Sequence, residues 1–326
     1  MPERYSTATR ELATLRDWLR YAVSEFERAR LCYGHGTDNA HDEALWLLCA
    51  ALRLPLDRPE PFLDARLTAP ERRQLAALLR RRIVDRVPTA YLTGEAWLGE
   101  YRFAVDERVI VPRSHIAVVL RDGLLEPWLP DAGAVRAALD LCTGSGCLAV
   151  LLAQAYPDAA VVATELSADA LEVARTNVAR YRLQERITLA LGSLYEPLGD
   201  ARFDLIVSNP PYVPVAAMRS LPGEYRHEPR LALAGGRDGL DLVRPLLAGA
   251  LDHLQPRAVL VVEVGAYRRA VEDAFPALPL TWLETGADEP SVFLVTREEL
   301  AAALPDAGRP RTGTAAADRA TVRPRR

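Results

Sequence analysis

Asn209-Pro210-Pro211-Tyr212 places a carboxamide, two consecutive prolines and an aromatic ring in four positions. A carboxamide offers two N–H donors and an acceptor oxygen. The prolines remove two backbone donors and fix two φ angles. The carbonyls of Asn209 and Pro210 are then free to accept, and Tyr212 presents a flat face. This set suits a planar –NH2 group, either an amide or the exocyclic amine of a base. The competing reading is a Pro-rich turn after a strand.

A second constellation lies upstream. Asp140-Leu-Cys142-Thr143-Gly144-Ser145-Gly146-Cys147 follows an apolar run and opens an apolar helical stretch. Gly144 and Gly146 permit a tight turn and close backbone approach to a ligand. Unpaired N–H groups at the helix start face the same place. Glu165 ends the next apolar run, where an acid takes ribose hydroxyls. The pattern calls for a nucleoside-containing cofactor. Ala149 fits the third position of a dinucleotide fingerprint, so spacing alone does not choose. Asp140 does favour one choice: a carboxylate there repels a pyrophosphate and attracts the cationic amine of S-adenosyl-L-methionine.

The elements that must hold these groups alternate strand and helix from about 114 to 299. Strands are expected at 136–141, 160–165, 187–191, 203–209, 258–264, 280–284 and 291–295. Helices are expected near 114–126, 146–155, 168–182, 239–254 and 266–275. This alternation predicts a mostly parallel α/β sheet covered on both faces. Upstream, Leu12, Leu15, Trp18, Leu19, Val23 and Phe26 recur at helical spacing, so one helix is expected over 8–31. Asp38 or Asn39 caps a second helix over 40–53, and Thr68 and Pro70 open a third that ends near Arg86. Residues 90–111 are aromatic and β-branched around Gly94 and Gly99, which predicts a β-hairpin or small meander. The division is a helical domain over 1–87, a hairpin linker over 88–113, a catalytic domain over 114–300 and a disordered tail over 301–326. The tail is rich in Pro, Ala and Arg and lacks large apolar residues.

Composition narrows the function. The 326 residues are 49% hydrophobic and 26% charged, as in ordinary soluble proteins. Every basic residue is Arg, and the net charge is −4. That balance, without a basic target-reading domain, argues against a DNA enzyme. Cys32, Cys49, Cys142 and Cys147 form no CxxC pair, so no metal site is expected, and reduced thiols fit best. The N-terminus lacks an apolar signal core, and no apolar run is long enough to span a membrane. A cytoplasmic protein is expected.

With these motifs in order, the chain resembles the class I S-adenosylmethionine-dependent methyltransferases from about residue 10 to 299. Within them it is similar to the protein-(glutamine-N5) methyltransferases. Tyr33-Gly-His-Gly-Thr-Asp-Asn39, Ala90-Tyr-Leu-Thr93, Val105-Asp-Glu-Arg-Val109, Val111-Pro-Arg-Ser114 and Glu224-Tyr-Arg-His-Glu-Pro229 resemble the branch acting on ribosomal protein uL3. The resemblance implies the fold of that class, a mostly parallel seven-stranded sheet with an N-terminal helical domain and a connecting β-hairpin. It implies S-adenosyl-L-methionine held by Asp140, Cys142, Thr143, Gly144, Ser145, Gly146, Glu165, Ser193, Leu194 and Asn209. Ser193 stands where the family often carries an acid near the adenine amine. It implies a glutamine held by Asn209, Pro210, Pro211, Tyr212 and Glu228. Asn209, Pro210 and Tyr212 are the expected catalytic set, and the helical domain is expected to recognise substrate. The expected partner is uL3, free or in a ribosome assembly intermediate. Class 1 release factors and DNA adenine remain the alternative substrates.

Overall fold

The computed structural model describes residues 3–303 of the chain; the Arg-rich segment beyond lies outside the described residues. The helical N-terminal region holds α1 (Glu3–Glu11), α2 (Leu15–Ala29), α3 (Ala40–Leu52) and α4 (Ala69–Ile83). The single helix expected over 8–31 is two. Thr14 and Asp17 form a reciprocal cap that restarts the chain: Thr14 N–H donates to the Asp17 carboxylate at 2.8 Å, and Asp17 N–H to the Thr14 hydroxyl at 3.2 Å. The freed backbone pairs elsewhere, with Arg16 N–H on the Leu63 carbonyl at 2.8 Å. Asn39, rather than Asp38, caps α3 by accepting from Asp42 N–H at 2.9 Å. Leu15, Trp18 and Phe26 of α2 pack against Leu47 and Leu48 of α3 and Leu75 and Leu79 of α4. Each such side chain, fully buried, contributes about 2 kcal/mol.

The hairpin is shorter than the 90–111 expected. It consists of β1 (Glu95–Leu98) and β2 (Tyr101–Ala104). Residues before it form the short helix α5 (Thr89–Thr93), whose Thr93 hydroxyl donates to the Thr89 carbonyl at 3.0 Å. Gly94, at a φ of 75°, ends that helix. Residues 105–111 follow as a strap outside any sheet, with Val105 N–H on the Gly94 carbonyl at 3.1 Å.

The remaining elements alternate: α6 (Ile116–Arg121), β3 (Ala137–Leu141), α7 (Cys147–Ala155), β4 (Ala160–Glu165), α8 (Ala168–Arg180), β5 (Ile187–Leu191), β6 (Phe203–Ser208), α9 (Val243–His253), β7 (Leu254–Glu263), α10 (Arg268–Ala274), β8 (Thr281–Leu283), β9 (Val292–Thr296) and α11 (Arg297–Ala303). Seven strands form one sheet in the order β5-β4-β3-β6-β7-β9-β8. All neighbours are parallel except those of β9. Side chains alternate between two buried faces, as the strand period requires. Leu205, Val207 and Val259 pack on Leu148 and Leu152 of α7. Leu139, Ile206 and Leu260 pack on Leu246 and Leu247 of α9. The last helix, α11, runs from Arg297 to Ala303 across the expected boundary at 300; Glu299 caps it through Thr296, and Leu300 is buried against the sheet. No helix among the described residues is long and apolar enough to cross a membrane.

This order places the sheet's reversal between β3 and β6. The chain steps outward from β3 to β5, then returns to the other side of β3. A ligand crevice opens at such a point, outside the carboxyl ends of the strands. The loops after β3 and β6 carry the two motifs.

Candidate active site

One open cleft of about 750 Å³ occupies this crevice. Its lining brings together Cys142 and Gly144 after β3, Thr164 and Glu165 on β4, Ser193 and Leu194 after β5, and Asn209 and Pro211 after β6. Arg108 to Ile110 of the strap and the turn containing Pro229, Leu231 and Ala232 complete its walls. Thus residues from Arg108 to Ala232 converge on one cleft, those after β3, β4, β5 and β6 through strand register.

The glycine loop divides into residues that face the cleft and residues that shape it. Gly144 has a φ of 53°, and a side chain there meets nothing within 4 Å. Its N–H donates to Glu165 at 3.0 Å, and Ser167 N–H donates to the other Glu165 oxygen at 2.9 Å. Each oxygen keeps a lone pair for a ligand hydroxyl. Cys142 takes a φ of 61° and Leu194 one of 48°, conformations that cost energy outside glycine. Thr143, Ser145 and Gly146 turn away from the cleft. Thr143 N–H bonds the Thr164 carbonyl at 3.0 Å. Gly146 is required for packing: a Cβ there lies 3.1 Å from the Ala174 Cβ of α8.

Asp140 departs from expectation. It is fully buried beneath the loop and does not line the cleft. One carboxylate oxygen accepts from the Thr143 hydroxyl, and the nearby backbone N–H of Ala149 also favours the charged form. Burial pushes its pKa up to about 7 against the pull of these donors. It organises the loop from below rather than presenting a free carboxylate. Its Oδ1 and the Oγ1 of Thr164 are buried without a hydrogen-bond partner.

The Asn209–Tyr212 segment is fixed from behind. The Ser208 hydroxyl donates to the Leu141 carbonyl at 2.9 Å, tying β6 to β3 just before the motif. Asn209 is half-buried, and its carboxamide makes no hydrogen bond within the described residues. Pro210 is buried behind it. Tyr212 lies beyond the cleft lining, with its ring 6.1 Å from that of Tyr267. Burial and then the nearby Glu263 raise its phenol pKa.

Glu228 is not a free substrate contact. It is 5% exposed, accepts from Val111 N–H at 3.0 Å and receives both Arg113 terminal nitrogens, one at 2.7 Å. His35 Nε2 lies 3.7 Å away. Burial disfavours its charge, but His35 and Arg113 prevail and hold its pKa at about 2. Its role is to join the strap, the helical region and the turn that walls the cleft. The neighbouring Glu224 does the same with Arg82 at 3.0 Å, Arg86 at 3.3 Å and Cys32 N–H at 3.1 Å. The Tyr33–Asn39 and Glu224–Pro229 stretches therefore meet, with the His35 and Tyr225 rings 4.6 Å apart.

Three features were not read from the sequence. Glu263, at the end of β7, is fully enclosed and accepts from the Ser114 hydroxyl and from His115 N–H at 2.9 Å. Burial outweighs these donors and pushes its pKa up to about 7. Asn177 of α8 grips both the hairpin and the glycine loop. Gly235, Gly239 and Gly265 crowd Tyr212. An acid ending an apolar strand was a visible sign of Glu263; the partners of the others are set only by the fold.

A sheet reversed in this order, a glycine loop after its first strand, an acid ending the second and Asn-Pro-Pro-Tyr ending the fourth define a class I S-adenosylmethionine-dependent methyltransferase. Residues 123–220 match the family model "Methyltransferase small domain", and residues 17–94 match "PrmC N-terminal domain". The chain is 56% identical over 290 residues to the ribosomal protein uL3 glutamine methyltransferase of Bordetella pertussis, covering 89% of this chain and 97% of that one. The Neisseria gonorrhoeae protein of the same name is 53% identical over 296 residues, covering 91% and 98%. That of Bradyrhizobium diazoefficiens is 48% identical over 295 residues, covering 89% and 92%. The chain belongs to the family of ribosomal protein uL3 glutamine methyltransferases. Its residues fit the cofactor: Gly144 leaves room for close approach, Glu165 keeps acceptor capacity, and the unpartnered hydroxyl of Thr164 belongs to a residue lining the same cleft.

Proposed function

We propose that this chain methylates the side-chain nitrogen of a glutamine in ribosomal protein uL3, using S-adenosylmethionine. The observation that carries this reading is the unpaired carboxamide of Asn209, which lines the same cleft as Gly144 and Glu165. A carboxamide with no partner in the protein, at the wall of a cleft, keeps its oxygen and both N–H groups available to a ligand.

Cys142, Gly144, Glu165, Ser193 and Leu194 hold the cofactor, which supplies an activated methyl group. The Asn209 oxygen and the Pro210 carbonyl accept the two N–H bonds of the glutamine amide. An amide nitrogen is a poor nucleophile because its lone pair is delocalised. Two oriented acceptors fix its position and favour the positive charge that develops there. The reaction replaces one amide hydrogen by methyl and releases a proton. Tyr212 backs the amide site from beyond the cleft lining. Residues 1–87 recognise the substrate, residues 88–113 link them to the catalytic part, and the protein works in the cytoplasm.

The test is incubation of the protein with methyl-labelled S-adenosylmethionine and, separately, uL3, a class 1 release factor and duplex DNA. Label on a uL3 glutamine, located by peptide mass spectrometry, is the expected outcome. Label on the release factor or DNA alone overturns the assignment.

A further inference from the structure

Tyr212 is enclosed by three glycines that arrive from different parts of the chain. After Tyr212 the backbone leaves the sheet edge, forms short turns and returns alongside Val213. There Val213 N–H donates to the Leu233 carbonyl at 2.9 Å, and Gly235 N–H to the Val213 carbonyl at 2.8 Å. This return sets Gly235 directly on the Tyr212 backbone. A Cβ at Gly235 falls 2.6 Å from Tyr212 Cα and 2.8 Å from the Pro211 carbonyl oxygen. A Cβ at Gly239 collides with the Tyr212 carbonyl oxygen. Gly265 comes from the end of β7, on the ring side, where a Cβ falls 2.6 Å from ring carbon Cε2 and 2.9 Å from Cζ.

We propose that Gly235, Gly239 and Gly265 are positioning residues for methyl transfer. They set Tyr212 and, through it, the acceptors of Asn209 and Pro210. The proposal rests on the reading of Asn209–Tyr212 as the amide site. The link is mechanical. Pro210 and Pro211 have locked φ angles, so only the ψ angles between Tyr212 and Asn209 are left to absorb a displacement at Tyr212. The opposite end is held by the Ser208–Leu141 bond. The motif is therefore a short stiff segment clamped at both ends. Atoms behind it decide where its acceptors point. The glycines touch neither the glycine loop nor Glu165, so their contribution belongs to the transfer step rather than to cofactor binding.

Gly235 gives the cleanest variant, because its backbone carries no left-handed strain and only the close contact is at stake. For Gly235→Ala we expect kcat with uL3 to fall about tenfold or more, since small misplacements of reacting groups have large effects. The KM for uL3 and the Kd for S-adenosylmethionine should stay within about twofold, the mark of an effect confined to the transition state. A kcat within about twofold of wild type overturns the proposal, as does a joint loss of kcat and cofactor affinity in the same proportion. A second measurement covers a variant that folds poorly. Gly265→Ala is compared in the wild-type and Tyr212→Ala backgrounds by thermal unfolding. With the ring removed, the cost of Gly265→Ala should shrink to that of backbone strain alone. An equal cost in both backgrounds overturns the proposal. Wild-type protein run alongside separates the two readings: no uL3 methylation by wild type refutes the amide site itself.

Discussion

Asn177 donates its carboxamide N–H to the Ser145 carbonyl at 2.8 Å, holding the cofactor loop from the helix behind it. The same carboxamide accepts from Ala104 N–H at 2.7 Å and donates to the Ala104 carbonyl at 3.0 Å. One fully buried side chain therefore fastens the glycine loop and the hairpin to α8. Replacing it by Leu leaves three backbone groups without this partner. Each orphaned buried group costs about 1–3 kcal/mol. Asn177→Leu should thus destabilise the protein by about 3 kcal/mol or more in urea unfolding, and should weaken S-adenosylmethionine binding in calorimetry.

Asn209→Ala removes one of the two proposed amide acceptors and leaves the glycine loop intact. Loss of a single oriented hydrogen-bonding group at a reacting centre costs about 100- to 1,000-fold in kcat. That loss is expected in a uL3 methylation assay, with the melting temperature unchanged because Asn209 makes no bond to the protein. Normal turnover by this variant sinks the proposed mechanism.

Glu165→Ala acts on the other side of the cleft. It removes the carboxylate that receives Gly144 and Ser167 N–H and that lines the cleft. Hydrogen bonds to charged groups are worth about 1.5–3 kcal/mol, so the Kd for S-adenosylmethionine should rise by about tenfold or more. Isothermal titration checks this; unchanged affinity removes Glu165 from the cofactor site.

Glu228 predicts an acid limb in stability. Its pKa is about 2 in the fold, down from an ordinary 4.5, because His35 and Arg113 outweigh burial. A depressed carboxylate contributes stability above its unfolded value and loses it as pH falls through the folded one. The loss therefore runs from about pH 4.5 down to about 2, and at this shift amounts to about 3 kcal/mol. Chemical unfolding of Glu228→Gln across that window should lack this part of the slope. An identical slope in variant and wild type refutes the assignment.

The parts of the site legible in the sequence were those whose meaning is local. Asn209, Gly144 and Glu165 sit at the ends of apolar runs, and the strand period puts them at one sheet edge. Asp140 shows the limit. It follows the same run, yet the central position of β3 buries it, and no count of neighbours in sequence reveals that. Glu228 stands among the expected substrate contacts, and its actual partners, Val111, Arg113 and His35, lie more than 110 residues away, beyond any local reading. The break at Thr14 was local, but helical periodicity across 8–31 masked the reciprocal cap with Asp17.

Arg82 has a further consequence. It lies 1% exposed between Glu43 and Glu224, with the carboxylate of Glu224 at 3.0 Å. The catalytic half thus keeps the counterion of one of its own buried acids in the helical half. Cutting the chain near residue 88 strands Glu224 and strips His35 from Glu228. The pieces look separable as beads on a string, yet they share a charge account that only the intact chain can balance.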